Sequence, residues 1–168
     1  MDKLALLGGR PLLRKPLLPY NSIGREETKA VLKVMRGKII SDFLGRAGRH
    51  FLGGKYVKEL EKQFCGYFGV KYAVSFNSAT TALQAAVGAL GIGPGAQVIT
   101  SPFTMSATAS AILFNNALPV FCDIDENDFC LDSSKIEKLI NKNTKAILAV
   151  NLFGSLADYK PILKILNE

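Results

Sequence analysis

Tyr72-Ala73-Val74-Ser75-Phe76, followed by Asn77-Ser78-Ala79-Thr80-Thr81, decides the fold. The first five residues are a short apolar, β-prone run. The next five are mostly small and hydroxyl-bearing, the types whose side-chain oxygens cap a helix N-terminus. Ala79, Leu83, Ala86, Val87 and Leu90 then recur at helical spacing, and Gly91 supplies the stop. The stretch therefore reads as strand, tight turn and helix. Such a junction gathers unpaired backbone N–H groups, the positive end of the helix dipole and the hydroxyls of Ser78, Thr80 and Thr81, a set that suits phosphate. The same residues also make an ordinary, well-capped α/β turn, so local pattern leaves both readings open.

Downstream of Gly91, strands are expected at residues 97–101, 118–124 and 145–152, alternating with helices at 104–114, 133–140 and from 159 onward. This alternation implies βαβ units around a mostly parallel sheet. The run Ala146-Ile147-Leu148-Ala149-Val150 fits a strand covered on both faces. Upstream, Ser22 is expected to cap a helix running to about Arg36, with Val31, Leu32 and Met35 on its apolar side and Gly37 at its end. A second amphipathic helix carries Val57, Leu60, Phe64 and Phe68 and closes at Gly69. Between them, Gly45, Gly48, Gly53 and Gly54 interrupt Phe43, Leu44, Phe51 and Leu52, the composition of an interface or ligand cover. Residues 8–20, with Pro11, Pro16 and Pro19, read as an extended arm. The expected division is residues 1–58 as arm, helix and glycine-rich loop, and residues 59–168 as the start of an α/β domain.

A chain of 168 residues with 48% hydrophobic content supports a real core. Its net charge of +7 is unevenly placed: residues 1–58 hold 13 Lys and Arg against four Asp and Glu, a local balance of +9. A basic segment of this kind suits an anionic substrate, an acidic surface or nucleic acid, and equally a set of solvated helix faces. Interleaved aromatics and DNA-reading motifs are missing, which argues against nucleic acid as a partner. Cys65, Cys122 and Cys130 have no CxxC spacing and read as reduced thiols of a cytoplasmic protein, with no metal site. No apolar run reaches the roughly 18 residues of a membrane span, and Gly8-Gly9-Arg10 arrives too early for a signal peptide. Two motifs fail on context. Gly91-Ile92-Gly93-Pro94-Gly95 follows a helix, where a dinucleotide fingerprint must follow a strand. Asp123-Ile124-Asp125-Glu126-Asn127-Asp128 lacks the glycine and glutamate of a calcium loop and reads as an acidic strand-end turn.

Four stretches together resemble the N-terminal part of a DegT/DnrJ/EryC1/StrS-type sugar aminotransferase. They are Leu7-Gly8-Gly9-Arg10-Pro11; residues 68–75 with Asn77-Ser78-Ala79-Thr80-Thr81-Ala82-Leu83; residues 89–95 through Ser101-Pro102-Phe103-Thr104; and Pro119-Val120-Phe121 with Asp123-Ile124-Asp125, then residues 144–147 to Leu152-Phe153-Gly154. The resemblance implies a three-layer α/β fold, the large domain of fold type I enzymes dependent on pyridoxal phosphate, incomplete at its C-terminal side. It places the cofactor phosphate at Ser78, Ala79 and Thr80. The residue that commonly stacks on the pyridine ring is aromatic in such enzymes and falls here at Met105, whose thioether covers a ring face less strongly.

Further implications of the resemblance are a homodimer and transfer of an amino group from an amino acid, glutamate in first place, to a keto sugar carried on a nucleotide. The aspartate for the pyridinium nitrogen and the lysine for the Schiff base fall beyond residue 168 in this family, so no catalytic residue is assigned and the 168 residues alone are expected to be inactive. Two other readings stay open: a non-catalytic binding or regulatory protein using the basic region, and a dehydratase on the same scaffold.

Overall fold

The computed structural model describes residues 3–15 and 18–166. Pro16 of the expected arm, and the residues at either extreme, lie outside this description. The chain divides into two compact units, Met1–Leu60 and Glu61–Glu168. The first contains a short 3-10 turn (Ala5–Leu7), helix α1 (Arg25–Arg36) and the start of helix α2 (Lys55–Phe68). No residue of α1 is buried, and Val31, Leu32 and Met35 stand exposed. Helix α1 begins two residues later than a Ser22 cap would have it. Asn21 Oδ1 accepts from Ile23 N at 3.1 Å, which turns the chain before the helix, and Glu27 Oε2 accepts from Gly24 N at 2.6 Å. A glutamate at the third helical position selects its own cap, three residues upstream.

The second unit holds α3 (Ala79–Ala89), β1 (Gln97–Thr100), α4 (Ser106–Phe114), β2 (Leu118–Phe121), α5 (Ser133–Ile136), β3 (Thr144–Leu148) and α6 (Tyr159–Leu166). The strands form one parallel sheet in the order β2-β1-β3. Alternate residues of β1 face opposite ways. Val98 packs with Val87 of α3 and Ile112 of α4 on one side, and Ile99 packs with Ile136 of α5 and Ile162 of α6 on the other. Along β3, Ala146 and Leu148 join the first cluster and Ile147 the second. The sheet is thus the middle of three layers, as the doubly apolar run predicts.

Residues 72–76 correct the expectation of a strand: they form no ladder, and Val74 is 71% exposed. Strand identity is conferred by a neighbour's backbone, and β-prone side chains do not create one. The segment is held instead by Glu61 of α2, whose Oε1 accepts from Ser75 N at 2.8 Å and Ser75 Oγ at 2.9 Å. Each observed strand also stops short of the expected end, at Phe121 rather than residue 124 and at Leu148 rather than residue 152. The residues released from the ladder become loops at the C-terminal edge of the sheet. The expected 133–140 helix splits into α5 and a 3-10 turn, Glu137–Leu139.

Candidate functional site

Parallel sheets bind ligands outside the carboxyl ends of their strands, where neighbouring strands send their connections to opposite faces. Here β1 leads into α4 on one face, whereas β2 and β3 lead into α5 and α6 on the other, so β1 diverges from both of its neighbours. Thr100 Oγ1 donates to Leu148 O at 2.8 Å and ties the two strands at that end.

The packing of helix α3 on α4 depends on a side chain the sequence did not single out. Asn115, just past α4, donates through Nδ2 to Gln84 O at 3.0 Å and to Ala111 O at 2.9 Å. It pins the C-terminal halves of α3 and α4 together, and the helices pack along one another. Their N-termini consequently point the same way, toward the end of β1.

The first turn of α3 divides its hydroxyls by role. Ser78 is the N-cap, its Oγ accepting from Thr81 N at 3.2 Å. Thr81 Oγ1 lies 2.8 Å from Asn77 Oδ1 and 2.9 Å from Ser78 O, so it is committed to closing the turn. Ala82 N is taken by Ser78 O. The N–H groups of Ala79 and Thr80, and the Thr80 hydroxyl, have no hydrogen-bond partner among the described residues. Two free amides and a free hydroxyl at the positive end of an 11-residue helix form a donor set for an oxyanion. Met105 stands at the N-cap of α4, is 77% exposed and makes no capping hydrogen bond. Ser78, Ala79 and Thr80 thus share one turn, and Met105 lies on the first turn of the helix aligned beside it.

The acidic turn after β2 uses its carboxylates on the backbone. Asp125 Oδ1 accepts from Asn127 N at 2.8 Å and Asp128 Oδ1 from Cys130 N at 2.8 Å. Lys135 Nζ bridges Asp123 Oδ2 at 3.1 Å and Asp132 Oδ2 at 3.2 Å. The Lys135 ammonium, with the Ile124 N–H, holds the Asp123 carboxyl below its ordinary range, and the two aspartates raise Lys135. Burial, with Asp132 nearby, pushes the Cys122 thiol up, so that sulfur is an inert part of the core. In the first unit, an apolar cleft of about 510 Å³ is lined by Val34, Ile39, Ile40, Phe43, Tyr56 and Val57 among others; the expected cofactor residues do not line it.

Residues 23–168 match the DegT/DnrJ/EryC1/StrS aminotransferase family. The chain is 40% identical over 154 residues to the spore coat polysaccharide biosynthesis protein SpsC of Bacillus subtilis, covering 90% of this chain and 37% of that protein. It is 45% identical over 112 residues to GDP-perosamine synthase of Caulobacter vibrioides, covering 67% of this chain and 30% of that one. Among solved structures, a sugar aminotransferase of Streptococcus pneumoniae in its PMP form superposes with a TM-score of 0.75 at 30% identity, covering 88% of this chain and 35% of that one. The chain therefore spans about a third of the length of these relatives, and its second unit is part of a fold type I domain. No helix among the described residues is long and apolar enough to cross a membrane. The chain belongs to the DegT/DnrJ/EryC1/StrS aminotransferase family.

Proposed function

We propose that this chain carries the phosphate-binding end of the pyridoxal phosphate site of a sugar aminotransferase. The observation that carries the reading is the pair of unpartnered amides, Ala79 and Thr80, beside the free Thr80 hydroxyl at the sheet's C-terminal edge. That donor set fits a phosphate group in number and charge preference. Ser78 fixes the turn, Ala79 and Thr80 donate to the phosphate, and Met105 offers a thioether to one face of the pyridine ring. Bound pyridoxal phosphate supplies the electron sink that lets an amino group move between an amino acid and a keto sugar. The residues of this chain anchor and orient the group.

On this reading residues 59–168 are the first part of the cofactor-binding domain, and the whole enzyme is a cytoplasmic homodimer. Its donor is glutamate and its acceptor a keto sugar on a nucleotide, supported by the basic balance of the first unit and by the sugar chemistry named for the relatives. On the same reading the 168 residues by themselves bind the cofactor without turnover, because the resemblance assigns the Schiff-base role to none of their lysines.

Thr80→Asp tests the anion site. A carboxylate at the second helical position favours the helix through its dipole, so the fold is retained while a like charge faces the phosphate. Affinity for pyridoxal phosphate is expected to fall roughly tenfold, the effect of about 1.4 kcal/mol of repulsion at a partly exposed site. Unchanged affinity with intact circular dichroism would move the phosphate elsewhere.

A further inference from the structure

We infer that Phe103, Phe129 and Phe153 form an aromatic rest for the heterocyclic base of the nucleotide-linked substrate. The inference depends on the nucleotide-sugar reading and extends it to particular side chains. The three rings come from the three loops that leave β1, β2 and β3, all at the C-terminal edge of the sheet. Phe103 sits between the others, its centroid 6.0 Å from that of Phe129 and 6.2 Å from that of Phe153, the latter pair nearly edge-to-face.

Two of the three rings are displayed from backbone that phenylalanine ordinarily avoids. Phe129 has φ +61° and Phe153 has φ +51° with ψ +24°. Phe153 and Gly154 are the central residues of a tight turn closed by Ser155 N donating to Leu152 O at 2.8 Å, both at positive φ. Asparagine or glycine suits the first of these positions, and a bulky aromatic there is an outlier. Asn151 anchors the loop, its Oδ1 accepting from Ala157 N at 3.0 Å and from Tyr159 Oη at 3.1 Å. Within these 168 residues the strain gains no burial, since Phe153 is 84% exposed. A strained conformation that turns a large ring toward solvent, at the sheet edge where ligands bind, points to a function for the ring. Exposed aromatic faces hold bases by stacking, without selecting among them.

Phe153→Asn separates this role from a structural one, because asparagine tolerates the left-handed conformation and relieves the strain. The natural protein and the variant are titrated calorimetrically with UDP, GDP and inorganic pyrophosphate, and melted thermally. The natural protein is expected to bind both nucleotides more tightly than pyrophosphate, by about tenfold or more. In Phe153→Asn that preference is expected to vanish while the melting temperature rises, and Phe153→Trp is expected to keep the preference. Equal affinity for nucleotide and pyrophosphate in the natural protein, or a preference that survives Phe153→Asn, would overturn the inference. So would a loss of pyridoxal phosphate affinity in Phe153→Asn with nucleotide binding unchanged. Pyridoxal phosphate titrated into the natural protein reads the parent proposal separately, since failure at Phe153 leaves binding at the α3 turn intact.

Discussion

Replacing Gly88 by alanine is expected to change sign with the residue at position 115. In a helix, glycine to alanine ordinarily stabilises by about 1 kcal/mol. A Cβ on Gly88 would stand 2.9 Å from Asn115 Oδ1, closer than such atoms approach. Asn115 cannot yield freely, because its Nδ2 is held by Gln84 O and Ala111 O. Moving it forfeits both bonds, each worth about 1 kcal/mol net; Gln84 O lies within α3, whereas Ala111 O, in the last turn of α4, loses the side-chain donor that satisfies it. Gly88→Ala alone should therefore destabilise by about 1 kcal/mol, lowering the melting temperature by roughly 2–4 °C for a chain of this size. Asn115→Ala alone should cost about 2 kcal/mol, or roughly 4–8 °C. In the Asn115→Ala background, Gly88→Ala should stabilise by about 1 kcal/mol, giving a coupling of about 2 kcal/mol. Thermal unfolding of the four proteins by circular dichroism measures it. The same sign in both backgrounds would refute the pin, and with it the reason that the first turns of α3 and α4 share an edge.

The ion cluster predicts a pH profile. Asp123 and Asp132 are held below their ordinary value of 3.8, so their stabilisation is present above it and lost as pH falls through the lowered folded values. Lys135 is raised above 10.5, so its share persists below that pH and is lost as pH climbs through the raised folded value. Lys135→Met should flatten both limbs of a melting-temperature profile, and an unaltered acid limb would contradict the assignment. The exposed Phe43, Leu44, Phe51 and Leu52 should drive self-association, which sedimentation velocity detects; a monodisperse monomer at micromolar concentration would argue against the homodimer.

Much of the second unit was legible in the sequence, because burial on two faces writes continuous apolar runs and helix stops need particular residues. Gly69, at φ +65°, ends α2 where expected. The site was legible as a turn but not as a division of labour: Thr80 and Thr81 are identical in sequence, and only the geometry frees one hydroxyl and commits the other. Residues 72–76 misled because propensity describes a side chain, whereas a strand requires a paired neighbour. Asn115 gave no signal, since an asparagine after a helix is an ordinary C-terminal residue until its amide finds another helix. Phe129 and Phe153 were hidden for the opposite reason, occupying conformations for which their residue type argues against itself.

The central claim, that the first turn of α3 receives the cofactor phosphate, is tested most directly by amide NMR of the ¹⁵N-labelled protein titrated with pyridoxal 5′-phosphate and, in parallel, with pyridoxal. Saturable shifts of the Ala79 and Thr80 N–H resonances with the phosphorylated compound, absent with pyridoxal, are the expected result. Saturable binding that leaves both amides unmoved, or moves them equally with pyridoxal, would contradict it.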